Sequence, residues 1–555
     1  MRDDIGEHEI IEKLDAKYPG LKQIYDSYSE KEASGVPVDD AEFKKEIVSL
    51  LCRQTNTGNR SLYMDKGLGK VYAEAVERLS GGKLNTKMVA ETCFTNRWDM
   101  IYATTIGPLN KAFQIFFGKG NRVVTISRAE GGEIQADIDS LAITDLNGTV
   151  CKLNCIIGKC SLIDIPYDGD KVSCDITNID ADITIELTST VIGTKDNGDQ
   201  MDVYLDLTDS KNVDNVTINK MDKPDKIGDK LWNYLIYCIN EKIVDILAGA
   251  LNNPYKVFSV SISEDTQATY DWVIPDVAKF SGAECGNGTL EDGFMAIYTL
   301  TLTDKNDLEK TDEKLKKLSL SIDSGIIPDG DTFSVGISRP IFMRYLLLPM
   351  LYEALEPSLD GTDDEKKPDY LVCKDEMDDG GLFIKDSWIE SCRDYKIKVE
   401  DYNDIILKNT KVTMTDGGFH FESDFSTEQY WIDFDGSIDF DIALVKETDK
   451  DGKVTLVAQS SKPNIDISSG PSWKLWLVLA AVALIPVIGM IISGITLVIT
   501  SMLDKIIDFD LDSFSFEIKP PVKYTNIELE EPADIAVSDG VLVSFDVSAE
   551  DESGE

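Results

Sequence analysis

The chain of 555 residues carries 100 acidic and 55 basic side chains, a formal charge of −45. This excess excludes a general nucleic-acid binder, because neutralising phosphate takes a surplus of Lys and Arg, and it opposes simple adsorption to an anionic membrane. At 42% hydrophobic the chain is globular and long enough for two or three domains, and its two histidines, His8 and His420, leave little for triads or His-bound metals.

The N-terminal segment, MRDDIGEHEI, has no basic stretch followed by an apolar run. No Sec signal is read, so synthesis in a reducing cytoplasm with free thiols is expected, and later release outside the cell stays open. Residues 1–92 read as a helical module. Ile10, Ile11, Leu14 and Tyr18 recur at helical spacing up to Pro19, and Asp39 with Glu42 forms a capping box before Phe43, Ile47, Leu50 and Leu51. A third stripe runs from Leu68 to Leu79 and stops at Ser80-Gly81-Gly82.

Residues 93–555 form the second region, with room for two subdomains. Trp98 to Phe117 is apolar and is expected to be helical, interrupted at Gly107-Pro108. Hairpin turns are expected at Asn147-Gly148, Asn197-Gly198 and Asn287-Gly288, separating β-type runs. Leu231 to Leu251 is a second helix, ending before Asn252-Asn253-Pro254.

Tyr430 to Val445 alternates for sixteen residues. Ile432, Phe434, Ile438, Phe440, Ile442 and Leu444 share one parity, and Asp433, Asp435, Ser437, Asp439 and Asp441 share the other. That is a long strand with one apolar and one acidic face, at ~3.3 Å per residue far longer than usual. A sheet of such strands must coil, and its apolar face must cover a helix or a ligand. Similar alternation marks Ile183, Ile185 and Leu187, and again Val541, Val543, Phe545 and Val547.

Leu475 to Leu503 carries no charged residue and has Trp473 and Trp476 at its start. The apolar, helical segment 473–503 is long enough to span a bilayer, yet Pro486, Gly489, Ser493 and Gly494 interrupt it and strand-like alternation resumes at Ile507. A buried helical hairpin is the leading expectation, beside a lipid-contacting segment and a true span. Trp473, Trp476, Leu477, Ile485, Ile488 and Ile492 are its candidate lipid-binding residues.

Catalytic chemistry is not legible. Cys151, Cys155, Cys160 and Cys174 lack the spacing of zinc or iron–sulfur sites and read as strand cysteines. Glu447, Asp449, Asp451 and Gly452 imitate an EF-hand loop, but position twelve is Ala458, so a hairpin turn is expected. His420 lies on a strand face. Lys310, Lys314, Lys316 and Lys317 form the best basic cluster, a solvated helix face or a lipid-headgroup site. No metal, cofactor or catalytic residue is expected, and the chain is read as a non-enzyme.

Thr95-Asn96-Arg97-Trp98-Asp99-Met100-Ile101-Tyr102-Ala103, followed by Leu109-Asn110-Lys111, resembles the T-x-G-W-D-x-V-Y-A…V-N motif of a clostridial family. Its members are the OrfX and forty-seven-kilodalton proteins of botulinum-type neurotoxin gene clusters. Val335 to Leu351, the Tyr255 to Phe258 region and the Trp473/Trp476-led segment are similar too, while Arg97 stands where the family has Gly. The resemblance implies an α+β, tubular lipid-binding (TULIP) fold: long, strongly coiled antiparallel sheets wrapped around long helices. Trp98, Asp99, Tyr102 and Asn110 would be its structural motif residues. It also implies a toxin-accessory role, with acyl chains or phosphoinositide-type lipids as ligands, toxin-cluster proteins of the same fold or a toxin as partners, and peripheral membrane contact. The alternative is a scaffold or chaperone of a toxin complex, its tube filled by its own side chains.

Overall fold

The computed structural model describes residues 6–54, 95–301, 308–355, 370–467, 473–508 and 534–545, short internal stretches excepted. The chain forms two compact units. One joins Met1–Thr92 to Arg339–Asp504 and Ala536–Gly540, and the other joins Cys93–Ser338 to Lys505–Ile535 and Val541–Glu555.

Met1–Thr92 contributes α1 (Glu7–Lys17), α2 (Leu21–Ala33) and α3 (Asp40–Gln54). Asp15 Oδ1 closes the α1–α2 corner by accepting the amides of Gly20 at 3.0 Å and Lys22 at 2.9 Å. Asp39 caps α3 as its sequence suggested, accepting the amides of Ala41 at 3.0 Å and Glu42 at 3.3 Å. Ile10, Leu14, Leu21, Tyr28, Phe43, Ile47 and Leu51 are all buried. The stripe from Leu68 to Leu79 lies outside the described residues.

The Cys93–Ser338 unit runs β1 (Met100–Thr105), α4 (Ile106–Gly118), β2 (Val123–Ser127), β3 (Glu133–Asn147), β4 (Val150–Tyr167), β5 (Asp170–Glu186), β6 (Thr190–Thr194), β7 (Gln200–Leu205), β8 (Val213–Asp222), α5 (Asp229–Ala250), β9 (Tyr255–Ser261), β10 (Val277–Ala283), β11 (Phe294–Leu300), α6 (Leu308–Lys317) and β12 (Phe333–Ser338). The helix expected over Trp98–Phe117 starts only at Ile106. Ile101, Tyr102, Thr104 and Thr105 are β-branched or aromatic, and β1 pairs with β11 on one side and β12 on the other. Gly107-Pro108 therefore sits in the first turn of α4, where a missing amide N–H costs no helical bond.

The five-stranded sheet of this unit has the order β2-β3-β4-β5-β8, antiparallel throughout. At ~3.3 Å per residue the 18 residues of β4 extend to about 60 Å. Its buried face is odd from Cys151 to Ile157 and even at Cys160 and Leu162, because the pairing register slips between them. Such bulges increase the local twist of long strands. The β4–β5 hairpin turns on Asp168-Gly169, at φ 51° and 88°, the left-handed pair that a two-residue turn of matching twist requires. The β3–β4 hairpin turns on Gly148-Thr149, one residue later than expected because Asn147 still pairs with Val150, while Asn197-Gly198 and Asn287-Gly288 fall outside the described residues. α5 buries Leu235, Ile239, Ile243, Ile246 and Leu247 and packs on β2, β3 and β8.

The remaining described strands continue as β13 (Leu371–Met377), β14 (Ile384–Ser391), β15 (Tyr395–Ile397), β16 (Ile405–Thr415), β17 (Gly418–Gln429), β18 (Ile432–Thr448), β19 (Val454–Ser460), β20 (Asn464–Ile467), β21 (Asp534–Val537) and β22 (Gly540–Phe545). An eight-stranded antiparallel sheet follows the path β13-β14-β16-β17-β18-β19, with β15 on β16 and β20 on β18. β18 covers 17 residues, as its alternation demanded. Phe434, Ile438, Phe440 and Ile442 are buried and Asp433, Asp435 and Asp441 exposed. Helix Leu348–Leu355 precedes this sheet and helix Trp473–Asp508 follows it. The second of these corrects the expected hairpin: the apolar segment is one helix of 36 residues with Pro486 inside it, and it takes in Ile507.

Candidate functional site

The chemistry of interest gathers at the head of the Trp473–Asp508 helix. Leu477, Ile485, Ile488 and Ile492 are wholly buried, whereas Trp473 and Trp476 are half-buried. Buried polar groups along the helix are answered locally, Ser493 Oγ donating to Gly489 O at 2.6 Å and Thr496 Oγ1 to Ile492 O at 2.9 Å. Gly494 permits a close approach, since a Cβ there would lie 2.9 Å from Ala354 Cβ on helix Leu348–Leu355. Described residues of this helix are thus lined by protein, and its length alone does not make it a span.

The first turn has a polar boundary. Lys474, its side chain 6% exposed, pairs with Glu32 of α2 and lies 6.0 Å from the Trp473 ring. Trp473 packs edge-on against Phe43 of α3, centroids 5.6 Å apart at 84°. Nearby, Lys44 Nζ lies 3.0 Å from Asp466 and Lys462 Nζ donates to Ser49 Oγ at 2.8 Å.

In the same unit a cavity of about 1160 Å³ is lined by Lys396, Asp404, Glu428, Tyr430, Asp433 and Asp435, among others. Lys396 Nζ reaches Asp404 at 3.0 Å. Its lining mixes these charged and hydroxyl groups with apolar surface from Ile406 and Phe434. Among the described residues no three His, Cys, Asp or Glu side chains are grouped to hold a metal.

The motif residues sit in the other unit. Trp98 Nε1 donates to Ser319 O at 2.8 Å, and its ring lies 5.5 Å from Tyr298. The Asp99 carboxylate accepts from Thr301 N at 2.7 Å and Oγ1 at 3.3 Å. Tyr102 is 5% exposed on β1, and Asn110 holds the backbone of Ile143. Trp98 and Asp99 thus tie the start of β1 to Ser319 and Thr301, and Asn110 ties α4 to β3. Lys310, Lys314, Lys316 and Lys317 lie on α6, where Lys317 pairs with Glu313 at 2.7 Å.

Cys151, Cys155 and Cys160 are buried along β4, and burial pushes each thiol up to about 12, where no thiolate forms near neutrality. Cys174 stands on β5, free and half-buried. His420 Nδ1 lies 2.8 Å from Asp441 Oδ1, paired across β17 and β18. Arg128 escaped the sequence reading. Its side chain is 1% exposed, and Nη2 lies 3.5 Å from both Glu130 and Glu241. A lone arginine after a short strand carries no signal that it will be buried.

No protein-family model and no curated protein matches the sequence. Solved structures do match. P47 from Clostridium botulinum A2 superposes with a TM-score of 0.51 at 14% identity, covering 82% of this chain and 98% of that one. P47 of Clostridium botulinum E1 gives 0.50 at 13% identity, covering 81% and 99%. The chain has the P47 fold. That is the α+β architecture of long antiparallel sheets and long helices that the Trp98–Asp99–Tyr102 motif implied. At this identity the likeness to P47 speaks for the fold alone.

Proposed function

We propose that the chain is a non-enzymatic lipid-contacting protein that serves as an accessory component of a toxin gene cluster. The observation that carries this reading is the aromatic pair at the head of the apolar helix. Trp473 and Trp476, three residues apart, share one helix face at a boundary marked by Lys474. Indole favours such boundaries, its ring in apolar surroundings and its N–H near water or headgroups. The P47 fold supports the accessory role, and the two histidines agree with a non-enzyme. Acyl contact is then hydrophobic and local, since the charge of −45 opposes anionic surfaces.

One observation favours a second reading, a complex-forming scaffold with a self-filled core. Leu477 to Ile495 is buried against protein. Organic extraction and mass spectrometry of the purified full chain, before and after incubation with phosphatidylcholine vesicles, separates the two. Bound or acquired lipid supports the first reading. A chain that carries none and takes up none is the scaffold.

A further inference from the structure

Helices α1–α3 meet Lys462, Asp466, Trp473 and Lys474 of their unit, and the contact has the anatomy of an interface. Its centre is aromatic, with Phe43 against Trp473, and Phe43 itself is packed by Tyr28 at 5.0 Å and Tyr25 at 6.5 Å. Its rim is polar: Glu32 with Lys474, Lys44 with Asp466, and Lys462 with Ser49. α1 and α2 also pack on each other, and Ile10, Ile11 and Leu14 of α1 and Leu21, Tyr25 and Tyr28 of α2 are buried.

The Glu32–Lys474 pair carries the argument further. Burying an ammonium costs desolvation that an apolar side chain of like volume avoids, so a buried ion pair is a poor choice for a permanent contact. It suits a contact that opens, because both charges then have water to return to. Glu32 is already 62% exposed, and only Lys474 is enclosed. Once uncovered, Lys474 and the two indoles would present the side chains that settle at a bilayer boundary, a long amine reaching to headgroup level beside rings that enter the acyl edge.

We propose that α1–α3 are a releasable cap over the head of the Trp473–Asp508 helix, held by Phe43 and latched by Glu32, and that release presents Trp473 and Trp476 to a lipid surface. The second half rests on the lipid-contacting reading above.

The test uses the full chain, with hydrogen exchange read by mass spectrometry and flotation with phosphatidylcholine vesicles. Glu32→Lys sets like charges together. It should speed exchange roughly tenfold in residues 7–54 and at the start of the Trp473 helix, leave β16–β18 unchanged, and raise the fraction of protein that floats. Adding Lys474→Glu reverses the pair and should return both readouts toward the original chain. Phe43→Ala opens the contact without a charge change and should act as Glu32→Lys does. Exchange rising equally in β16–β18 overturns the cap, for the helices would then unfold with the sheet. Unchanged exchange in both single variants overturns the latch. Local opening with no gain in flotation overturns presentation to lipid, whereas the lipid reading itself is judged separately, by lipid extracted from the original chain.

Discussion

Asn110 holds Ile143 by both of its backbone groups: Nδ2 donates to Ile143 O at 3.1 Å, and Oδ1 accepts from Ile143 N at 2.8 Å. The primary amide thus stands in for a neighbouring strand where β3 slips register between Ile143 and Asp145. One side chain from α4 supplies backbone hydrogen bonds beside one of the three register slips of β3.

Replacing that amide should therefore cost stability without touching any apolar surface. Asn110→Leu leaves two backbone groups without their partner, at about 1–3 kcal/mol in all. Asn110→Asp keeps the acceptor and loses the donor, so it should fall between. Denaturant unfolding of both variants measures the order; a neutral Asn110→Leu would contradict it.

Gly494 is set where two helices nearly touch. A Cβ there would stand 2.9 Å from Ala354 Cβ and 3.4 Å from Leu351 Cα. Gly494→Leu should lower stability by about 1–3 kcal/mol through overpacking. Gly494→Ala should already lower stability, though less than Leu, because its Cβ would stand 2.9 Å from a methyl that cannot swing aside and the ~1 kcal/mol gain in helix propensity offsets only part of that squeeze. Thermal unfolding of the two variants separates space from propensity.

The thiols should divide by burial. Cys392 is exposed and should react promptly with a disulfide reagent at neutral pH, whereas Cys151, Cys155 and Cys160 should react only after denaturation. The three buried thiols, raised from an ordinary 9.0 to about 12, also make stability pH-dependent. The unfolded chain loses these protons first, so their contribution is full below about pH 9 and is lost progressively as pH rises toward about 12. Urea midpoints across that range should fall, and fall less steeply when Cys155 is replaced by Ala.

Salt distinguishes the modes of vesicle binding. If the Trp473 helix is the contact, binding to phosphatidylcholine should survive high salt, because acyl contact is not screened. Changing Lys310, Lys314, Lys316 and Lys317 together to Gln should then leave flotation unchanged. Loss of binding in either arm would move the contact to α6.

Period was the legible signal. The acidic–apolar alternation of β18, the stripe of α1 and the span of α5 all follow from spacing that one buried face imposes on a strand or helix. Trp98–Thr105 misled because β1 lies between β11 and β12 and is buried on both faces, so it shows no alternation. Pro486 misled for a different reason. A proline removes one helical hydrogen bond, but apolar packing around Ile485, Val487 and Ile488 keeps the helix continuous through it. At the candidate site, Trp473 and Trp476 were visible as aromatics ahead of a chargeless run. Their partners Phe43 and Glu32 lie more than four hundred residues earlier in the chain, a separation that no local pattern encodes.

The carboxylates of β17 and β18 do more than keep the protein dispersed. Glu422 lies opposite Asp439, and Glu428 opposite Asp433, so like charges face one another on the outer side of the sheet. Beneath them, Phe421 lies tilted against Phe440 at 4.9 Å, and Phe425 meets Phe434 edge-on at 6.5 Å. Repulsion thus pushes the outer layer apart while cohesion draws the inner layer together. A plate stressed in opposite senses on its two surfaces bends with the compressed side inward, the same direction in which a coiled sheet closes around a helix. Raising the salt would screen the outer layer and leave only the inner cohesion to hold the curve.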